Sequence, residues 1–153
     1  MKSLGQFAVL VALTWVAAGA TWWIKGPPER LFHCDPASLK PGEVCLEDVK
    51  GQQGLLWIDA RSRSKWQADG LPGSILWNLD PDEDMRVFEA EAAPHLLEAS
   101  RVVVYCDDQN CGISHQVADR VRALDLAGEV VVLKGGFRAL REAGMIKGSN
   151  PAP

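Results

Sequence analysis

Residues 101–114 read RVVVYCDDQNCGIS, and this segment begins with the clearest strand pattern in the chain. The valine run at 102–104 predicts a buried strand at 101–106, because β-branched side chains pack well in sheets. Cys106 follows at the carboxyl end of this segment, and Ser114 can cap a helix predicted over 114–128. This order of strand, cysteine, loop and helix places a thiol where a loop opens into a helix.

Apolar runs and helical periods alternate on both sides of this segment. The sequence predicts further strands at 55–59, 74–79 and 130–134, and helices at 62–69, 81–99 (with a break at Pro94) and 137–144. Short apolar strands separated by helices are typical of a parallel sheet that is covered on both faces. Ligands of such α/β sheets bind beyond the carboxyl ends of the strands, where Cys106 is expected to lie.

Length and composition indicate one ordinary globular domain with an additional tail. The chain has 153 residues, of which 47% are hydrophobic and 24% are charged. Its formal net charge of −4 argues against a nucleic-acid partner, because such partners select basic surfaces. We therefore expect no nucleic-acid binding.

Residues 1–24 are predicted to be a hydrophobic membrane anchor or signal segment. No charged residue occurs between Ser3 and Ile24, and the run at 4–24 is close to the roughly 20 residues that span a bilayer. A cleaved signal peptide is the alternative, because Lys2 precedes the run and the small residues 18–20 resemble a cleavage site. A buried soluble helix is a third interpretation, although it would need cover on all sides.

Residues 25–43 are proline-rich and are interpreted as a linker, followed by a domain at 44–145 and a flexible tail at 146–153. Cys34 and Cys45 are far enough apart to form a disulfide that restrains this segment, or they remain two free thiols. The export-like start and four cysteines favour a membrane-anchored domain on the extracytoplasmic (periplasmic) side, with secretion after cleavage as the alternative.

Four further sequence elements occur in the order seen in one known family. They are Asp59-Ala60-Arg61 after an early strand, Leu71-Pro72-Gly73-Ser74 before the next strand, the strand leading to Cys106, and Leu133-Lys134-Gly135-Gly136-Phe137 near the end. Together they resemble the motifs of rhodanese-like domains over roughly residues 44–144. Each element alone is weak, but the ordered set is specific.

The resemblance implies an α/β fold with a five-stranded parallel sheet flanked by helices on both faces. It also implies a sulfurtransferase that carries sulfane sulfur as a persulfide on Cys106, with Asp59 and Arg61 supporting the site. Arg61 is better interpreted as a structural ion-pair partner than as a catalyst. The active-site loop would be formed by Asp107, Asp108, Gln109, Asn110, Gly112, Ile113 and Ser114.

The loop departs from the usual pattern of the family, which is C-x-x-G-x-R-S. Seven residues separate Cys106 from Ser114, and Gly70 stands where the family has a histidine. Asp107 and Asp108 beside the thiol raise the cost of a thiolate and repel a dianion such as thiosulfate. We therefore expect a small sulfur donor of lower charge, or a protein thiol or persulfide, as the partner.

Cys111 lies in the same loop and leaves several interpretations open. It could be a resolving thiol that forms a disulfide with Cys106, a partner in a static disulfide, or an unrelated thiol. A non-catalytic binding or regulatory module and a thiol-disulfide redox protein using Cys106 and Cys111 are therefore alternatives to the enzyme. A phosphatase is disfavoured, because Gly112 stands where such loops need arginine. No metal or other cofactor is predicted, since the cysteines and histidines lack zinc spacing.

Overall fold

The computed structural model describes residues 32–107 and 112–146. Within these residues, five parallel strands form one sheet in the order β1-β5-β4-β2-β3. The strands are β1 (Glu43–Val44), β2 (Leu55–Asp59), β3 (Ile75–Leu76), β4 (Arg101–Tyr105) and β5 (Val130–Leu133). The predicted α/β fold with a five-stranded parallel sheet is confirmed.

Helices cover both faces of this sheet. They are α1 (Leu46–Val49), α2 (Arg63–Asp69), α3 (Met85–Glu98), α4 (Gly112–Ala123) and α5 (Gly136–Glu142), and a 3-10 turn covers Pro36–Ser38. Apolar side chains of α3 and α4 pack on one face, and those of α1 and α5 pack on the other. A hydrophobic core lies on each face of the sheet, and β4 contributes to both because its side chains alternate. Val102 and Val104 face one core, and Val103 and Tyr105 face the other.

Helix α3 continues through Pro94 without the predicted break. Proline removes one backbone donor, so the carbonyl four residues earlier, at Ala90, loses its helical partner. Both Ala90 and Pro94 are exposed, so water can hydrate that carbonyl. Phe88 and Leu96 meanwhile pack into the core on either side of the proline. Tertiary packing therefore outweighs the local cost of the proline.

Three predicted elements are shorter than expected by more than one residue. The helix predicted at 81–99 covers Met85–Glu98. The strand predicted at 74–79 is limited to Ile75–Leu76, because the Asn78 side chain accepts the Asp80 N–H and turns the chain. The helix predicted over 114–128 covers Gly112–Ala123 instead. Asp125 follows it with a φ of 53°, a left-handed conformation that ends a helix.

The segment that precedes α1 is attached to the domain. A disulfide joins Cys34 to Cys45, with Cα atoms 5.7 Å apart. The Phe32 backbone N–H donates to the Glu142 carboxylate, and the Phe32 ring lies over Gly135. A side chain at Gly135, whose φ is +82°, would collide with that ring. The glycine therefore allows both the turn after β5 and the close approach of Phe32.

The predicted anchor at residues 4–24 lies outside the described part of the chain. Across 32–107 and 112–146, none of the helices combines the length and apolar character needed to cross a bilayer.

Candidate active site

Cys106 lies directly after β4, at the carboxyl edge of the sheet, and is 3% exposed. Its sulfur is 3.5 Å from the hydroxyl oxygen of Ser114, in the first turn of α4. Cys106 is disulfide-bonded. Cys34 and Cys45 are bonded to each other, and Cys111 lies outside the described residues. The structure therefore holds the nucleophile candidate buried against a helix start and in an oxidised form.

The turn after β5 closes on the backbone of Cys106. The Phe137 N–H, in the first turn of α5, donates to the Cys106 carbonyl at 2.6 Å. Gly135 and Gly136 both have positive φ, which a glycine pair adopts without a side-chain penalty. The late glycine-glycine-phenylalanine element thus fixes the backbone at the thiol.

Arg61 and Asp59 form a buried ion pair next to this turn. Asp59 is 0% exposed and Arg61 is 4% exposed. The Arg61 Nε donates to Asp59 Oδ1 at 3.0 Å and its Nη2 donates to Asp59 Oδ2 at 2.9 Å. The second terminal nitrogen, Nη1, donates to Asp69 at 2.9 Å. Burial alone disfavours the charged guanidinium, but the hydrogen bonds and charge of Asp59 raise the pKa of Arg61 above its usual value.

Tyr105 is a second hydrogen-bond donor to the Asp59 carboxylate, besides Arg61. Its hydroxyl donates to Asp59 Oδ2 at 2.7 Å and accepts the Leu71 backbone N–H at 3.1 Å. Burial, followed by the negative charge of Asp59, raises the pKa of the Tyr105 phenol. The phenol therefore stays protonated and links β4 to the Leu71-Ser74 element.

The Arg61 guanidinium also contacts Phe137 and Asp107, two residues adjacent to Cys106 in the fold or in the chain. It stacks 3.8 Å from the Phe137 ring centroid, and its Nη1 lies 3.8 Å from Asp107 Oδ1. Phe137 bonds the backbone of Cys106, and Asp107 is the next residue in the chain. One buried cation thus connects three of the sequence elements found above around Cys106.

The sequence matches the rhodanese-like domain family over residues 45–143. The matched range contains Cys106, the Asp59–Arg61 pair and the turn before Phe137. The chain belongs to the rhodanese-like domain family. No curated protein sequence matches it.

Solved structures share the fold at low sequence identity. A Bacillus halodurans protein superposes with a TM-score of 0.55 and 19% identity, covering 70% of this chain and 77% of its own. The N-terminal domain of a putative ATP/GTP binding protein from Clostridium difficile gives a TM-score of 0.51 and 16% identity, with coverages of 67% and 98%. Thiosulfate sulfurtransferase from Pseudomonas aeruginosa gives 0.50 and 22% identity, but this chain covers 21% of that protein against 79% of itself. These likenesses support the rhodanese-like fold.

Asp107 carries less uncompensated charge than the sequence suggests. The Lys65 Nζ lies 2.6 Å from Asp107 Oδ2, so a cation from helix α2 balances the carboxylate. In the sequence alone, Asp107 is an unbalanced negative charge beside the thiol. Its partner cannot be identified there, because Lys65 and Asp107 are 42 residues apart.

A second charged cluster occupies the β1 side of the same sheet edge. His115 Nε2 lies 3.2 Å from Glu43 Oε1, and Lys134 Nζ donates to Glu43 Oε2 at 3.2 Å. Burial by itself would raise the pKa of Glu43, but the Lys40 N–H and the Lys134 and His115 side chains lower it overall. No sequence pattern predicts this cluster, because β1 has only two residues.

The other predicted loop residues are only partly described. Gly112 begins α4, Ile113 is exposed, and the Ser114 hydroxyl lies near the Cys106 sulfur. Asp108, Gln109, Asn110 and Cys111 fall between the two described ranges. Within residues 32–107 and 112–146, no group of three or more histidine, cysteine or acidic side chains is arranged to hold a metal.

Proposed function

We propose that this rhodanese-like domain is a sulfurtransferase that carries a sulfane sulfur as a persulfide on Cys106. The supporting observation is the position of the Cys106 sulfur, buried at the end of β4 and 3.5 Å from the Ser114 hydroxyl in the first turn of α4. Amide groups and the dipole at a helix start favour negative charge. A thiolate and the persulfide derived from it are both anionic, so this position suits both states.

The proposed reaction has two nucleophilic displacements. The Cys106 thiolate attacks the outer sulfur of a donor persulfide, the donor S–S bond breaks, and the donor thiolate leaves with the electron pair. An acceptor thiolate then attacks the outer sulfur of the Cys106 persulfide and releases the Cys106 thiolate. Because Cys106 is disulfide-bonded in the structure, a thiol reductant must open that bond before sulfur is accepted.

A persulfide, small or protein-bound, is the proposed donor, in preference to thiosulfate. Lys65 balances the charge of Asp107, which leaves this side of the site without excess positive charge to attract a dianion. Asp108 adds a further negative charge to the same loop. A donor of lower charge therefore meets less repulsion.

Cys111 is proposed as the resolving thiol. Its thiolate would attack the Cys106 sulfur that carries the persulfide, forming a Cys106–Cys111 disulfide and releasing hydrosulfide. The disulfide-bonded state of Cys106 supports this role. The same observation favours a second candidate, a thiol-disulfide redox protein or a non-catalytic binding module in which Cys106 stays locked.

Intact mass separates these candidates. The protein is reduced, freed of reductant and incubated with a persulfide donor, as wild type, Cys106→Ser and Cys111→Ser. We expect a gain of one sulfur, about 32 Da, that is lost in Cys106→Ser and accumulates in Cys111→Ser. If no sulfur is taken up and the Cys106 disulfide resists reduction, the binding module is the better description.

We also propose that residues 4–24 tether the domain to a membrane, with the domain on the extracytoplasmic (periplasmic) side. Support comes from the uncharged run itself and from the Cys34–Cys45 disulfide, since disulfides persist in oxidising compartments. Protease added to intact spheroplasts should digest the domain, and alkaline washing should leave it in the membrane fraction. Recovery in the medium would instead indicate cleavage and secretion, and protection from protease would place the domain inside the cell.

A further inference from the structure

An exposed ion pair includes the residue that follows Cys106 in the chain. Cys106 itself is 3% exposed, whereas the side chains of Asp107 and Lys65 are 46% and 55% exposed. Asp107 follows the thiol directly in the chain, and Lys65 reaches it from the middle of helix α2. The charges of this ion pair therefore act on a donor near the thiol.

Lys65 is the nearer cation to Asp107. One carboxylate oxygen, Oδ2, lies 2.6 Å from the Lys65 Nζ, while the other, Oδ1, lies 3.8 Å from the Arg61 Nη1. The Arg61 nitrogens have closer partners in Asp59 and Asp69, both at 2.9 Å. The charge of Asp107 is consequently balanced by Lys65 more than by Arg61.

We propose that Lys65 determines donor specificity by neutralising Asp107 beside the thiol, so that small persulfide anions with no further negative charge are the preferred donors. This inference rests on the proposed function. Without Lys65, the Asp107 charge would repel an anionic donor and would disfavour the Cys106 thiolate. The repulsion grows with each negative charge on the donor, because Coulomb energy is proportional to that charge.

Three donors with the same reacting group test this dependence. The persulfides of cysteamine, 2-mercaptoethanol and mercaptoacetic acid carry net charges of about 0, −1 and −2 when the persulfide is ionised. The full chain carrying Cys111→Ser, in which the proposed resolving thiol cannot remove the persulfide, is reduced, freed of reductant and mixed with each donor. The initial rate of the mass gain of about 32 Da on Cys106 is followed. The variants are Lys65→Ala, Asp107→Asn and the double variant, with Lys50→Ala as a matched control on an exposed lysine at the end of α1.

The expected result is a graded loss in Lys65→Ala. Sulfur loading should slow by roughly tenfold for the doubly charged donor, about threefold for the singly charged donor and less than about twofold for the neutral one. Added salt should shrink these differences, because the pair is exposed. Adding Asp107→Asn should restore the rate with the charged donors, since the charge that Lys65 balances is then gone. Lys50→Ala should match the Cys111→Ser parent.

The outcomes separate the inference from the function on which it rests. An equal loss with all three donors, or no recovery in the double variant, would overturn the role of Lys65 while leaving sulfur transfer by Cys106 intact. A Cys111→Ser protein without further changes that gains no sulfur on Cys106 from any donor would overturn both. The graded loss together with recovery supports both.

Discussion

Two charged clusters lie at the carboxyl edge of the same sheet, and they differ in burial and in what they hold. The Arg61 cluster, at the ends of β2 and β4, consists of Arg61, Asp59, Asp69 and Asp107. The Glu43 cluster, at β1 and β5, consists of Glu43, Lys134 and His115. The Arg61 cluster contacts Phe137, which bonds the backbone of Cys106, whereas the Glu43 cluster joins the edge strand to the start of α4.

The two clusters differ in how far each charged group relies on its ion-pair partners in place of water. In the Arg61 cluster both the cation and the Asp59 carboxylate are buried, so loss of one leaves the other as an uncompensated charge away from water. In the Glu43 cluster only the carboxylate is buried, and the His115 side chain is 34% exposed. Water can replace part of what His115 supplies. Removing a charge should therefore cost much more near Cys106 than at the edge strand.

The largest expected effect is that of Arg61→Met. This change leaves the Asp59 carboxylate buried without its cation and removes the stack on Phe137. We expect a loss of about 3–5 kcal/mol in the free energy of unfolding, measured by urea denaturation at neutral pH.

Arg63→Met provides the matched control, because it makes the same chemical change two residues away. Arg63 pairs with Glu83 and its side chain is 46% exposed, so its loss should cost only a small fraction of the stability that is lost in Arg61→Met. Adding Asp59→Asn to Arg61→Met should recover part of the stability by removing the stranded charge. Equal losses in Arg61→Met and Arg63→Met would mean that burial does not distinguish these ion pairs.

Tyr105→Phe should have an intermediate effect on the same cluster. It removes the hydroxyl that donates to Asp59 and accepts from the Leu71 N–H, and it keeps the ring in the core. Asp59 retains Arg61, so the loss in unfolding free energy should be about 1–3 kcal/mol, between those of the two arginine variants. A loss as large as that of Arg61→Met would show that the hydroxyl, not the guanidinium, is the main support of Asp59.

Alkaline titration tests the environment of Tyr105 independently. Tyr105 is the single tyrosine of the chain, so phenolate absorbance reports on it alone. Its pKa is raised by burial and by Asp59, so the folded state holds the proton above the usual pKa of 10.0. The contribution of the protonated phenol to stability is then fully present below pH 10.0. It is lost as the pH rises beyond that value, because the phenol ionises at a lower pH in the unfolded chain than in the folded protein. Phenolate absorbance should appear together with unfolding; ionisation at pH 10 in the folded protein would contradict the burial.

The sequence predicts the centre of this fold better than its edges. The strand predicted at 55–59 matches β2, and those predicted at 101–106 and 130–134 match β4 and β5 to within one residue, because their apolar runs are long and β-branched. The two-residue strand β1 and the four-residue helix α1 carry too little periodicity to be recognised. The continuous helix through Pro94 depends on packing that a local rule does not include.

The candidate site shows the same division between local and distant contacts. Asp59 and Arg61 are two residues apart and share a motif, so the sequence could place them together. The stack of Arg61 on Phe137 and the Lys65–Asp107 pair join segments that only the fold brings into contact. The sequence therefore predicted the position of Cys106 after a strand, but it did not show which cations balance the charge of Asp107.

The smallest expected effect is that of Glu43→Gln. Its pH dependence tests whether the Glu43 cluster, like the Arg61 cluster, stabilises the fold through charge. The pKa of Glu43 is lowered from 4.5, so the ionised carboxylate stabilises the fold above that pH, and this contribution is lost as the pH falls through the lower folded pKa. At neutral pH we expect Glu43→Gln to lose about 1 kcal/mol of unfolding free energy, and this difference from wild type should vanish in acid. Glu47→Gln, on the exposed side of α1, is the control and should leave stability unchanged. A difference that persists below the folded pKa would assign the role of Glu43 to shape and neutral hydrogen bonds, and the edge cluster would then not depend on charge as the Arg61 cluster does.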